Sequence, residues 1–412
     1  MKRNKLIVLC IFLLALVFYF IFFHKNKTLK FIPGNADVVV LLDVKKLGGQ
    51  YIYSLTTHPS LWFDEKKKRK DENSLRDSGV KIPDFLQIFH LKNTGYSDWY
   101  SVIEVKDHEK FLAFLKIQKF VNKGKNTFQK DQFFLKIDGE KCILGTSDLA
   151  FENINQQLFR SSGKKNLNAD KFIDDTVGSI SFISGEKIRN FSIELNADDI
   201  EIKNTSKIKA FNSILAMAEQ KTSFLEMELD AANVKTLTGF FNKSFSNSSE
   251  ISYIRASAEL EQVNDTIISY GYDDNFNEVE KKTYQKIIQP NYVIELQSKA
   301  PEKTWEYFRN KKWINPQNQF TVIPFQPNNI ARNKNGFEIK STRKTIPSSQ
   351  KLKENFIFIK YNNLLVSSIS TLSVAEKKII SEMDYIFYGN KAQDYYVKLK
   401  ARKGGLPLIL RW

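Results

Sequence analysis

The sequence predicts an α+β fold: an N-terminal transmembrane helix followed by two tandem, duplicated modules of mainly antiparallel sheet with packed helices. Three observations carry this. Residues 6–23, LIVLCIFLLALVFYFIFF, hold no charge and no helix breaker. Two distant stretches share a strand–turn–helix plan. Each is followed by a second strand pair and a capped helix.

The apolar run comes first. About eighteen residues at ~1.5 Å rise make a helix of roughly 27 Å, close to the hydrocarbon thickness of a bilayer. Its apolar face includes Leu6, Leu9, Phe12, Leu13, Leu16, Phe20 and Phe23. A cleaved signal would end in small residues, whereas this run ends in large aromatics before His24. Cys10 follows Leu9 rather than the small residue that a lipoprotein needs. Lys2, Arg3, Lys5 and the α-amino group narrowly outweigh Lys25, Lys27 and Lys30, which favours a cytoplasmic N-terminus. The expectation is a signal anchor: a single-pass protein of the bacterial inner membrane, with its body in the periplasm.

Residues 1–30 are then the stub, anchor and flank. The first α+β module is read at 31–160, bridging strands and a helix at 161–222, the second module at 223–390, and a strand tail at 391–412. YSVIEVKDHEKFLAFL at 100–115 is echoed by YVIELQSKAPEKTWEYF at 292–308, each a strand, a short turn and an amphipathic helix. Leu112 and Leu115 correspond to Trp305 and Phe308, spaced to share one helix face. Asp138-Gly139 is a hairpin signal between strands at 133–144, and Asn362-Asn363 is read as its counterpart within 356–366. Ser147-Asp148 and Ser373-x-x-Glu376 would cap the following helices. Asp43 and Asp230 each close a strand and open a helix. Prolines 316, 324, 327 and 347, with Asn335-Gly336, mark an insertion near 313–350. Strands are expected at 177–184 and 188–203, and Asp64–Asp77 reads as a solvated charged excursion.

The opening IPGNADVVVLLDV, the Ile-Pro-Asp strand at 82–89 and the hairpin-then-helix pattern resemble a class of bacterial envelope proteins of unknown function. Those carry one N-terminal anchor and tandem α+β repeats. The resemblance covers most of 31–160 and, more weakly, the second copy. It implies location and architecture, and it brings no catalytic residues.

The net charge is +16; six cations and no acid lie in residues 1–30, leaving +10 on the remainder. Such a body is drawn to anionic surfaces. The partners expected are a bilayer and an anionic lipid or envelope protein, with no nucleic acid. The two cysteines allow no disulfide framework, because Cys10 lies in the apolar run.

Chemistry is sparse. The four histidines, His24, His58, His90 and His108, have no metal-ligand spacing. Asp273-x-Asn275-x-Asn277 matches the start of a calcium loop, but Glu278 stands where Gly is required and Tyr284 where Glu is required. A polar hairpin turn explains it better. Asp174-Asp175 and Asp198-Asp199 sit in polar turns, and Ser147 reads as a helix cap. No catalytic, metal or cofactor residue is assigned. The surface singled out is basic: Lys398, Lys400 and Arg402 alternate along the tail strand, with Arg343 and Lys344 in the inserted region. The function expected is non-enzymatic binding or scaffolding in the envelope. The alternatives are a carrier or sensor of a lipid-like ligand in a cleft between modules, and a hydrolase of envelope polymers.

Overall fold

The computed structural model describes residues 24–60, 78–160, 167–206, 208–241, 250–323, 328–347, 351–368, 374–404 and 406–411. They form two compact units, one of residues 1–204 with 404–412 and the other of 205–403.

Both units contain the same device, a carboxylate that ends a strand and caps a helix. In the first, Asp43 closes β1 (Ala36–Asp43) and accepts the Lys46 N–H at 2.9 Å, opening α1 (Val44–Thr56). The sheet continues through β2 (Phe85–Leu91) and β3 (Trp99–Val105), then α2 (His108–Ile117). Four strands follow: β4 (Val121–Gly124), β5 (Thr127–Lys130), β6 (Phe133–Asp138) and β7 (Lys141–Gly145). Helix α3 (Phe151–Asn155) precedes β8 (Gly178–Ser184), β9 (Lys187–Leu195) and β10 (Asp199–Lys203). All pairings are antiparallel, in the order β10-β9-β8-β1-β2-β3-β7-β6-β5-β4. Val39, Leu41, Phe89, Tyr100, Ile143, Ile154 and Phe172 fill its main core.

The second unit opens with α4 (Lys209–Glu219). Then β11 (Leu225–Asp230) ends in Asp230, which accepts the Asn233 N–H at 3.0 Å as α5 (Ala231–Phe241) begins. Two very long strands follow, β12 (Ile251–Tyr272) and β13 (Glu278–Ser298), then α6 (Pro301–Asn310). Next come β14 (Asn328–Asn333), β15 (Gly336–Ser341), β16 (Asn355–Lys360) and α7 (Asn363–Ser368). Helix α8 (Val374–Ser381), β17 (Met383–Lys391) and β18 (Asp394–Ala401) complete it. The antiparallel order is β18-β17-β16-β11-β12-β13-β15-β14. Trp305 stacks on Phe337 at 5.5 Å in one core, and Phe211 on Tyr396 at 5.7 Å in another.

The order β10-β9-β8-β1-β2-β3-β7-β6 therefore recurs strand for strand in the second unit. The counterpart of the β6–β7 hairpin is β14–β15, around Asn335-Gly336, rather than 356–366. There Asn362 accepts the Leu364 N–H at 2.8 Å and starts a helix, so the Asn pair caps where a hairpin turn was expected. Residues 178–203, expected as a bridge, are the last three strands of the first unit's sheet. On α2 the buried pair is Phe111 and Leu115, with Leu112 exposed.

The expected fold class needs correction. Strand outweighs helix by 46% to 23%, and the structure is mostly antiparallel sheet. Among the described residues no helix is long and apolar enough to cross a membrane. The longest of these, α1 at 13 residues, spans only about 20 Å against roughly 30 Å of hydrocarbon. The expected transmembrane helix is thus corrected, together with the membrane and signal-anchor reading and the single-pass inner-membrane localisation with a periplasmic body. The run holding Leu6, Leu9, Phe12, Leu13, Leu16, Phe20 and Phe23 lies outside the described residues, as does the excursion at 64–77.

Candidate functional site: a projecting β-arm

Strands β12 and β13 are paired without interruption from Tyr253↔Gln297 to Tyr272↔Glu278. Only their inner halves belong to the sheet: β11 pairs with 253–258, and β15 pairs with 293–297. Beyond these limits the two strands have only each other as ladder partners among the described residues. The root is held by buried Val263 and Gln289, and by Asn291, whose Nδ2 donates to Glu261 at 3.0 Å. From Thr266 to Lys286 every residue is exposed, on both faces of the ribbon. The seven rungs from Thr266↔Tyr284 to Tyr272↔Glu278 reach about 20 Å at ~3.4 Å per residue, before the turn is added.

Opposite residues of an antiparallel pair share a face, so Ile268, Tyr270, Tyr272 and Tyr284 form one apolar-aromatic stripe. The three tyrosines are 66, 74 and 73% exposed. At the tip Asp273 accepts the N–H groups of Asn275 and Asn277, both at 2.8 Å, and the Asn277 amide at 3.1 Å. The backbone hydrogen bond from Asn277, foremost among these, holds its carboxyl below the usual range. The calcium-like triplet is therefore a self-satisfied turn. Phe276 beside it takes φ +62° and is 86% exposed. A left-handed conformation costs an ordinary side chain about 1–2 kcal/mol, and a Gly or Asn there would turn the chain more cheaply. The arm displays an aromatic where a plain turn would have none.

The basic residues expected to form a surface are placed differently. Lys398 and Lys400 lie opposite Phe387 and Tyr385, two buried aromatics, and are themselves half-buried. Their strand face is the core-facing one, because alternation alone does not say which face is inward. The Arg402 guanidinium sits 3.9 Å from the Tyr361 ring centre. Lys344 pairs with Glu259 at 2.6 Å, and Arg343 lies 4.0 Å from Glu261. The structure does not gather these five into one patch exposed to solvent.

Elsewhere polar groups are engaged locally. Ser147 accepts the Leu149 N–H at 3.3 Å. Asp175 pairs with Lys46 at 2.7 Å, Asp198 with Arg411 at 3.3 Å, and Asp199 accepts from Asn196 at 2.6 Å. His58 Nδ1 lies 2.8 Å from the Ser54 carbonyl. Buried His90 directs Nδ1 at Asp37 (2.7 Å) and Nε2 at the Gly95 carbonyl (2.9 Å), two acceptors that both ask for a proton. Burial opposes the charged ring, but these bonds outweigh it and raise its pKa. Among the described residues no three His, Cys, Asp or Glu side chains gather as a metal site. The first unit also holds a cavity of about 610 Å³, lined by Ile32, Leu158, Phe172, Ile183 and Ile188 with Lys30 and Lys171.

Comparison with known proteins finds no matching family model, curated protein or solved structure.

Proposed function

We propose that this protein is a non-enzymatic binding or scaffolding module that engages a protein partner through the β12–β13 arm. The supporting observation is the fully exposed ribbon from Thr266 to Lys286, with its tyrosine stripe and its displayed Phe276. A two-stranded ribbon alone is marginal in water, and tyrosines offer large contact area with few torsions to freeze. Contact by a partner would relieve both the exposure and the marginal stability. The test is a photo-cross-linking residue at Phe276 or Tyr270 in the full chain, with exposed Tyr53 and Tyr96 as controls. Defined adducts from the two arm positions alone support the reading. Equal labelling at all four positions refutes it.

A second reading, a carrier of a lipid-like ligand, rests on the first unit's cavity. Its volume falls within the ~300–1,000 Å³ common for ligand sites, and two lysines against one carboxylate, Glu186, leave a net positive charge beside apolar walls, which suits an amphiphile with an anionic head. Native mass spectrometry with dodecanoate would show a stoichiometric complex lost in Leu158→Trp. Binding unchanged by that substitution removes this reading.

A further inference from the structure

The two free edges of the arm are chemically unlike. The β13 edge, Glu278-Val-Glu-Lys-Lys-Thr-Tyr284, carries four charges in seven residues. Charged side chains, lysine above all, are the usual guard against pairing with a foreign strand. The β12 edge, Thr266-Ile-Ile-Ser-Tyr-Gly-Tyr272, carries none, and it has no proline. It is rich in β-branched and aromatic residues, the composition of segments that add to another strand. A long, unguarded edge in water is a pairing site by default.

We infer that the β12 edge pairs antiparallel with the same edge of a second copy of this chain, joining two arms into a four-stranded sheet. This inference rests on the reading of the arm as a binding element and names its partner. Centred on Ser269, the two-fold pairing sets Ser269 opposite Ser269, Ile268 opposite Tyr270, Ile267 opposite Gly271 and Thr266 opposite Tyr272. Within these seven rungs no like charges meet, and Ile268–Tyr270 is a favourable aromatic–β-branched pair that occurs twice. Asp265 and Asp273 bracket the run and end the ladder there. An isologous contact of this kind closes on itself as a dimer. It also keeps the tyrosine stripes of both copies on one face.

Two chains of +16 repel, but residues 264–286 hold five acids (Asp265, Asp273, Asp274, Glu278, Glu280) against three lysines (Lys281, Lys282, Lys286). The arm is the locally negative part of a basic chain, but the two-fold register leaves all five acids outside the seven paired rungs, with only Asp265 and Asp273 facing each other at the ends.

Opposed residues across an antiparallel ladder have Cα atoms about 4.5–5.5 Å apart, within disulfide reach. The test is Ser269→Cys in the full chain under mild oxidation, with Thr283→Cys on the guarded strand as control and linked peptides mapped by mass spectrometry. A 269–269 disulfide dimer is expected, and no 283–283 link. Adding Ile268→Lys should cut the 269–269 yield by about tenfold, since the change enters the symmetric ladder twice. Absence of the 269–269 link, or its survival with Ile268→Lys, overturns the inference. If the link is absent while a photo-cross-linker at Phe276 still yields one defined adduct with another protein, self-pairing falls and the arm's binding role stands. If both are absent, both fall.

Discussion

Removing the arm should leave the fold intact. Asp265 and Gln285 are a ladder pair, so deleting 266–284 and joining them through Asn-Gly gives a two-residue hairpin of the favoured primed type. Each of the 19 deleted residues is exposed, and the buried root residues Val263 and Gln289 remain. None of the deleted residues belongs to a buried core cluster, so the change belongs with surface substitutions, within about 0.5 kcal/mol. For a unit of this size that is a shift of about 2 °C or less in Tm. Phe308→Ala is the contrast: Phe308 is 1% exposed and packs on Trp313, Phe320 and Phe337, and its truncation should cost about 3–5 kcal/mol. Scanning calorimetry of the full chain and both variants measures the difference. A loss above about 2 kcal/mol in the arm deletion, four times the surface allowance, would mean that the ribbon is a structural strut, and the binding argument would fail.

Three further outcomes follow from the same geometry. His90 has a raised pKa, so its stabilising contribution is full below the unfolded value of about 6.5 and is lost as pH rises through the higher folded value. Tm should fall across that window, and Asp37→Asn should flatten the fall and lower the His90 titration midpoint seen by NMR. Gly336→Ala should destabilise the second unit by at least about 1–3 kcal/mol, because a Cβ there would lie 1.9 Å from the Leu296 carbonyl oxygen. Gly34→Ala, with nothing within 4 Å, is the control, and both are read as Tm. The Cys142 thiol, pushed up to about 12 by burial, should resist iodoacetamide at pH 8 in native protein and react fully once unfolded.

Much of the local structure could be read from residue chemistry. Asp43 and Asp230 announced strand-to-helix junctions because a carboxylate can satisfy helix N–H groups from a strand end. The turn at Asp273–Asn277 was legible because Asp and Asn bond to nearby backbone. The strands around that turn were not, since a ribbon exposed on both faces lacks the inward–outward alternation by which a strand is recognised. A signal did exist in the β-branched and aromatic run Thr266–Tyr272 meeting Asp273-Asp274-Asn275.

By itself the sequence determined the positive charge, the helix caps at Asp43 and Asp230 and the turns at Asp138-Gly139 and Asp273–Asn277, all properties of neighbouring residues. Only the tertiary structure decided that 178–203 completes the first sheet and that Lys398 and Lys400 lie on a core-facing strand face. It also decided that β12 and β13 run far past the sheet that begins them. Strand partnership joins residues remote along the chain, and which edges remain unpaired is fixed only when every other strand has found its neighbour.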